Sequence, residues 1–103
     1  MDRIEKLKEF LSRQPDDNFL QHALALEYIK RGNEEEAARL FTGILARDPG
    51  YIGTYYHLGK LLERTGATEA AIRTYEKGMD AARQAGDAHA LGELRGAWEE
   101  LTL

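Results

Sequence analysis

Three histidines, His22, His57 and His89, are the side chains of this 103-residue sequence best suited to metal ligation or proton transfer near neutral pH. A helical metal site would place two of them four residues apart, and none of the three has that spacing. His22 and His57 stand 35 positions apart (57 − 22), so the chemistry they suggest depends on the fold bringing them together. Nucleophiles are scarce: the sole serine is Ser12 and there is no cysteine, which removes thiol catalysis, disulfides and thiolate metal sites together. Gly50 and Gly53 flank Tyr51-Ile52, but they follow a proline and lack the lysine and preceding strand of a phosphate-binding loop. From these residues we read no active site, no metal and no cofactor, and expect a protein that is not an enzyme.

The elements that would carry these side chains are helices arranged in a repeat. Shifting the sequence by 34 positions lays Pro15 on Pro49, Leu24 on Leu58, Ala25 on Gly59, Gly32 on Gly66, Ala37 on Ala71 and Phe41 on Tyr75, with no gap. Inside one copy the apolar spacing is helical: Leu20, Leu24 and Tyr28 on one segment, then Leu40, Phe41, Ile44 and Leu45 on the next. Arg31-Gly32-Asn33 separates them, so each copy reads as a helical hairpin. Gly32 and Gly66 supply the helix-ending glycine. Asn33 with Glu36 gives an N-cap and its capping-box partner, and Glu34, Glu35 and Glu36 place negative charge at a helix N-terminus. Ala67 or Thr68 opens the matching helix with a weaker cap. The stretches LSRQPDD (11–17) and LARDPGY (45–51) both end a helix at a proline, which removes a donor and restricts the residue before it.

The run Leu24-Ala25, Tyr28, Gly32, Ala37, Phe41, Pro49, with its second copy Tyr55, Leu58-Gly59, Leu62, Gly66, Ala71, Tyr75, resembles the tetratricopeptide repeat (TPR), whose period is 34 residues. The resemblance is specific over residues 18–85. It implies an all-α fold, a right-handed superhelical stack of antiparallel helix hairpins with about six helices. Small residues at Ala25, Gly59, Ala37 and Ala71 would let helices approach, and Tyr28, Phe41 and Tyr75 would fill the space between hairpins. The second copy departs from the pattern at Gly78, a packing position, and at Arg83, which stands in place of the proline. Its last helix is therefore expected to run on to about Ala85.

One domain over 1–103 follows: an N-terminal capping helix at 3–14, repeat 1 at 18–51, repeat 2 at 52–85 and a C-terminal capping helix at 87–101. Leu7, Phe10 and Leu11 match Phe41, Ile44 and Leu45, which makes the first helix look like the second half of a truncated repeat. Gly86-Asp87 supplies a stop and a new cap before Leu91, Leu94, Trp98 and Leu101, all on one helical face. Six helices give the stacked core that two isolated repeats lack.

Bulk properties bound the partners. Fourteen basic against eighteen acidic residues leave a net charge of −4 and, with it, no footprint of a nucleic-acid binder. The opening MDRIEKLKEF is charged and amphipathic, unlike a secretion signal, and no run approaches the roughly 20 apolar residues of a membrane span. The expected setting is cytoplasmic, with neither nucleic acid nor membrane as partner. Hydrophobic residues at 43% and charged residues at 31% are an ordinary balance for a folded domain.

In a helical-repeat solenoid the first helix of each hairpin lines a concave surface. Carried residue by residue, the TPR pattern places Phe19, His22, Leu26 and Lys30 in that groove, then Tyr56, Lys60 and Arg64, with Leu94 extending the face. Aromatic and basic types are those enriched at interface hot spots, so the expected function is a non-catalytic protein–protein interaction module holding a peptide or partner protein of some acidic character. The lysine–asparagine–arginine clamp of TPR domains that bind acidic chaperone C-termini has no counterpart here, since His22, Leu26 and His57 occupy the corresponding places. The alternative is structural self-association, as a monomer or weak homodimer pairing through Tyr51, Tyr55 and Tyr56 or through the ends of the stack. Trp98 separates the two, because its burial would cap the stack and its exposure with Leu101 and Leu103 would leave an apolar end.

Overall fold

A computed structural model describes residues 2–103. Six helices and no strand are found among them: α1 (Arg3–Arg13), α2 (Asn18–Lys30), α3 (Glu34–Arg47), α4 (Gly53–Arg64), α5 (Thr68–Ala85) and α6 (Ala88–Thr102). They form two compact units, one reaching to Arg47 and one running from Asp48 to Leu103. Each unit holds one of the expected hairpins and one flanking helix.

In the first unit the helix ends are set by local chemistry. The Asp2 carboxylate accepts from the Glu5 amide at 2.9 Å, and that backbone bond holds its pKa below the ordinary carboxylate value. The Asp17 carboxylate does the same for the Leu20 amide at 3.0 Å, opening α2 directly after the proline turn. At the far end of α2 Gly32 takes φ +78°, which turns the Asn33 amide back onto the Tyr28 carbonyl at 2.8 Å. The hairpin is then tied at its open end, where Arg47 donates to Asn18 Oδ1 at 3.0 Å and Gln21 Oε1 at 2.8 Å. Leu24, Ala25, Ala37, Phe41 and Ile44 are buried.

Helix α1 joins this hairpin with little apolar surface. Leu7 is its one buried side chain. Charge makes up the difference: Arg3 Nε lies 3.0 Å from the Glu27 carboxylate, Arg31 lies 3.8 Å from Asp2, and Lys8 Nζ stands 5.9 Å from the centre of the Tyr28 ring. Tyr28 is half-buried under that contact.

The second unit is held differently. Tyr75 is fully buried against Gly59, so closely that a Cβ on that glycine would sit 2.2 Å from a ring carbon. The ring therefore fills space inside the α4–α5 hairpin, where the sequence pattern expected it between hairpins. Gly78 does the same for two neighbours, since a Cβ there would meet Tyr55 Cβ at 2.7 Å and Leu94 Cδ1 at 3.0 Å. With no proline at position 83, α5 continues to Ala85 and stops at Gly86, whose φ is +70°. The Asp87 carboxylate then accepts from the Ala90 amide at 3.0 Å and opens α6. Trp98 is half-buried against α5, its Nε1 donating to Glu76 at 3.1 Å.

Candidate functional site

The expected groove residues fall in both units. On α2, Phe19 is 72% exposed, while His22 and Leu26 are half-buried. His22 leans on the buried Phe41 with ring centroids 5.3 Å apart, so its ring covers the core of the hairpin. Lys30 is exposed, and its ammonium lies 3.4 Å from Glu27 of the same helix.

On α4 the side chains are organised by one another. Tyr56 is half-buried and meets His57 edge-on, with centroids 6.0 Å apart at 88°. Lys60 Nζ stands 5.6 Å above the Tyr56 ring and 3.7 Å from Glu63. Glu63 in turn accepts the hydroxyl proton of the buried Tyr75. Burial, and then that hydrogen bond to Glu63, push the Tyr75 hydroxyl far above its ordinary range, so it remains a donor. Arg64 is exposed in the last turn of α4.

Leu94 is 1% exposed, which corrects the expectation that it extends a surface. It packs against Gly78, where the missing side chain makes room for it, and forms the floor of a hollow between α4 and α6. That hollow measures about 280 Å³ and is walled by Ile52, Tyr56, His57, Ala90 and Glu93. Burial lowers the pKa of His57 from its ordinary value of 6.5, and the nearby Glu93 carboxylate partly opposes the shift. Its imidazole is therefore neutral at physiological pH and can accept or donate one hydrogen bond.

The structure brings together Tyr56, Lys60 and Leu94 from the expected set and adds His57 and Glu93. Adjacency in sequence hinted at the additions, since His57 follows Tyr56 and Glu93 precedes Leu94. The sequence ends α5 near Ala85, but which face of α6 meets α4 depends on contacts between helices that a repeat spacing does not carry. The tyrosine cluster also needs correction: Tyr55 is 5% exposed and donates its hydroxyl to the Pro49 carbonyl at 2.5 Å, so it is core and no part of a pairing surface. Among the described residues no group of three His, Cys, Asp or Glu side chains is placed to hold a metal ion. No helix among them is long and apolar enough to cross a membrane.

A tetratricopeptide repeat model matches residues 28–94. The chain belongs to the tetratricopeptide repeat family. Domains of this family generally mediate protein–protein interaction. No relative is found among curated proteins. Among solved structures, a TPR domain protein from Salinibacter ruber is similar at 45% identity, with 84% of this chain and 88% of that one covered and a TM-score of 0.81. A protein from Bordetella parapertussis is similar at 26% identity over 99% of this chain and 89% of its own, with a TM-score of 0.84. The TPR2B domain of yeast Sti1, solved in complex with pHsp70, shares the fold at 14% identity, covering 96% and 79%, with a TM-score of 0.87.

Proposed function

We propose that this TPR chain is a protein–protein interaction module without chemistry of its own, taking a peptide or partner protein on α4 and the adjoining face of α6. The observation that carries this reading is the fixed chain Tyr75–Glu63–Lys60–Tyr56. A buried hydroxyl holds a carboxylate, the carboxylate holds an ammonium, and the ammonium rests over a half-exposed ring. Side chains immobilised before binding lose less entropy on association, which favours such a cluster as a docking surface.

The same chain bears on the partner's charge. Lys30 and Lys60 each share their charge with a glutamate of their own helix, Glu27 and Glu63, which offsets the positive charge that their groove positions suggested. The test begins with light scattering to set the oligomeric state, followed by capture of partners from the source cell's lysate. Wild type is compared with Tyr56→Ala/Lys60→Glu/Arg64→Glu. Partners held by the wild type and lost by the variant support the reading. Equal retention removes α4 from it, and a stable dimer with no captured partner transfers the function to self-association.

A further inference from the structure

The hollow between α4 and α6 has a composition that names a ligand. Its apolar lining comes from Leu94, Ile52 and Ala90, and Tyr56 adds an aromatic side chain. Its polar groups are His57, held neutral by burial, and Glu93, the one carboxylate in the lining. The ion-pair partner of Glu93 among the described residues is His89, at 3.6 Å, an exposed imidazole that pairs only when protonated. Lys60 stands over the Tyr56 ring at 5.6 Å with its ammonium 3.7 Å from Glu63, and it does not line the hollow. At about 280 Å³ the space lies just below the roughly 300–1,000 Å³ typical of small-molecule sites, and suits a single long side chain.

We propose that this hollow is a subsite for one arginine side chain of the protein partner. The apolar walls take the aliphatic stem, the Tyr56 ring takes the planar face of the guanidinium, and the Glu93 carboxylate accepts its hydrogen bonds beside the neutral His57 nitrogen. A glutamate side chain would meet Glu93 as a like charge, and a purely apolar one would gain nothing from that carboxylate. The subsite thus asks for a basic residue where the sequence alone suggested an acidic ligand. The inference rests on the reading of α4 and α6 as the interaction surface and specifies what that surface selects.

The experiment titrates the ¹⁵N-labelled 103-residue chain, at neutral pH, with Nα-acetyl-arginine N-methylamide, and separately with the norleucine and glutamate analogues. The arginine probe should move the amides around His57 and Glu93 and bind several-fold more tightly than either analogue. Glu93→Gln keeps the size of an exposed side chain and so preserves folding; it should weaken the arginine probe roughly three- to tenfold and leave norleucine unchanged. Equal binding of norleucine and arginine, indifference to Glu93→Gln, or no shifts at the hollow overturns the assignment. The two readings fail separately. A silent arginine probe alongside partner loss in the Tyr56/Lys60/Arg64 variant removes the arginine subsite and keeps the interaction surface. A bound probe alongside partner capture that ignores that variant does the reverse.

Discussion

The two units solve the same problem, attaching a flanking helix to a hairpin, by opposite means. In the first, α1 offers one buried leucine and is fastened by Arg3 to Glu27 and by Asp2 to Arg31. In the second, α6 lays Leu94 and Ala97 into the core, and Leu94 reaches Gly78 because that residue has no side chain. Equivalent positions show the exchange. The 34-residue shift places Glu27 on Leu61 and Ile44 on Gly78, so the first unit carries charge and bulk where the second carries apolar surface and space. Close approach of helices gives dispersion and apolar burial that solvent ions do not screen, whereas ion pairs at a surface weaken with salt. The second unit should therefore be sensitive to added volume and the first to ionic strength.

The largest effects should come from filling the glycines of the second unit. Gly78→Ala forces a methyl against Tyr55 Cβ, an atom that moves only with its backbone, and should cost about 2 kcal/mol net of the helix propensity gained. Gly59→Ala meets the Tyr75 ring, which can shift at the expense of its bond to Glu63, and should cost about 1 kcal/mol. Urea midpoints measure both, and a gain in stability at either position would mean that the close approach is not required.

In the first unit Glu27→Gln should lower stability by about 0.5–1 kcal/mol, with faster amide exchange concentrated in α1. Raising salt toward 1 M should reproduce that exchange pattern in the wild type and add little to the variant; identical salt responses in both would assign the docking of α1 to Leu7 alone. The opposite sign is expected at Gly92, a helical position with open space where a Cβ would stand. Gly92→Ala should stabilise by about 0.5–1 kcal/mol, seen as a higher midpoint.

The smallest effect is the titration of His57. Its folded pKa lies below 6.5, so the unfolded chain binds the proton more readily. Stability from this group is complete above pH 6.5 and declines as the pH falls from there through the lowered folded value. His57→Gln should flatten that part of the stability–pH curve, and an unchanged slope would place the acid sensitivity elsewhere.

Much of the hairpin architecture is readable from residue types alone, because it rests on local rules. Glycine at 32 and 66, prolines at 15 and 49, and apolar spacing through 20–45 determine where helices begin, turn and stop. The continuation of α5 to Ala85 was likewise legible, since Arg83 has the amide and the free φ that proline lacks. The candidate site was legible only in part. Tyr56 and Lys60 stand together as the repeat pattern implies, but Leu94 and Tyr55 went into the core, Glu63 lies beside Lys60 and Glu93 lines the hollow.

The sequence by itself determined that this chain is a helical repeat, down to its helix ends, because each end is a matter of a few neighbouring residues and their backbone preferences. Only the tertiary structure decided which side chains the repeat leaves available. The seating of α6 arises from a helix that overruns its period and from Gly78, whose missing side chain admits Leu94, while Gly59 admits Tyr75 within the α4–α5 hairpin. Such contacts depend on distances between helices, and no spacing along one helix encodes them.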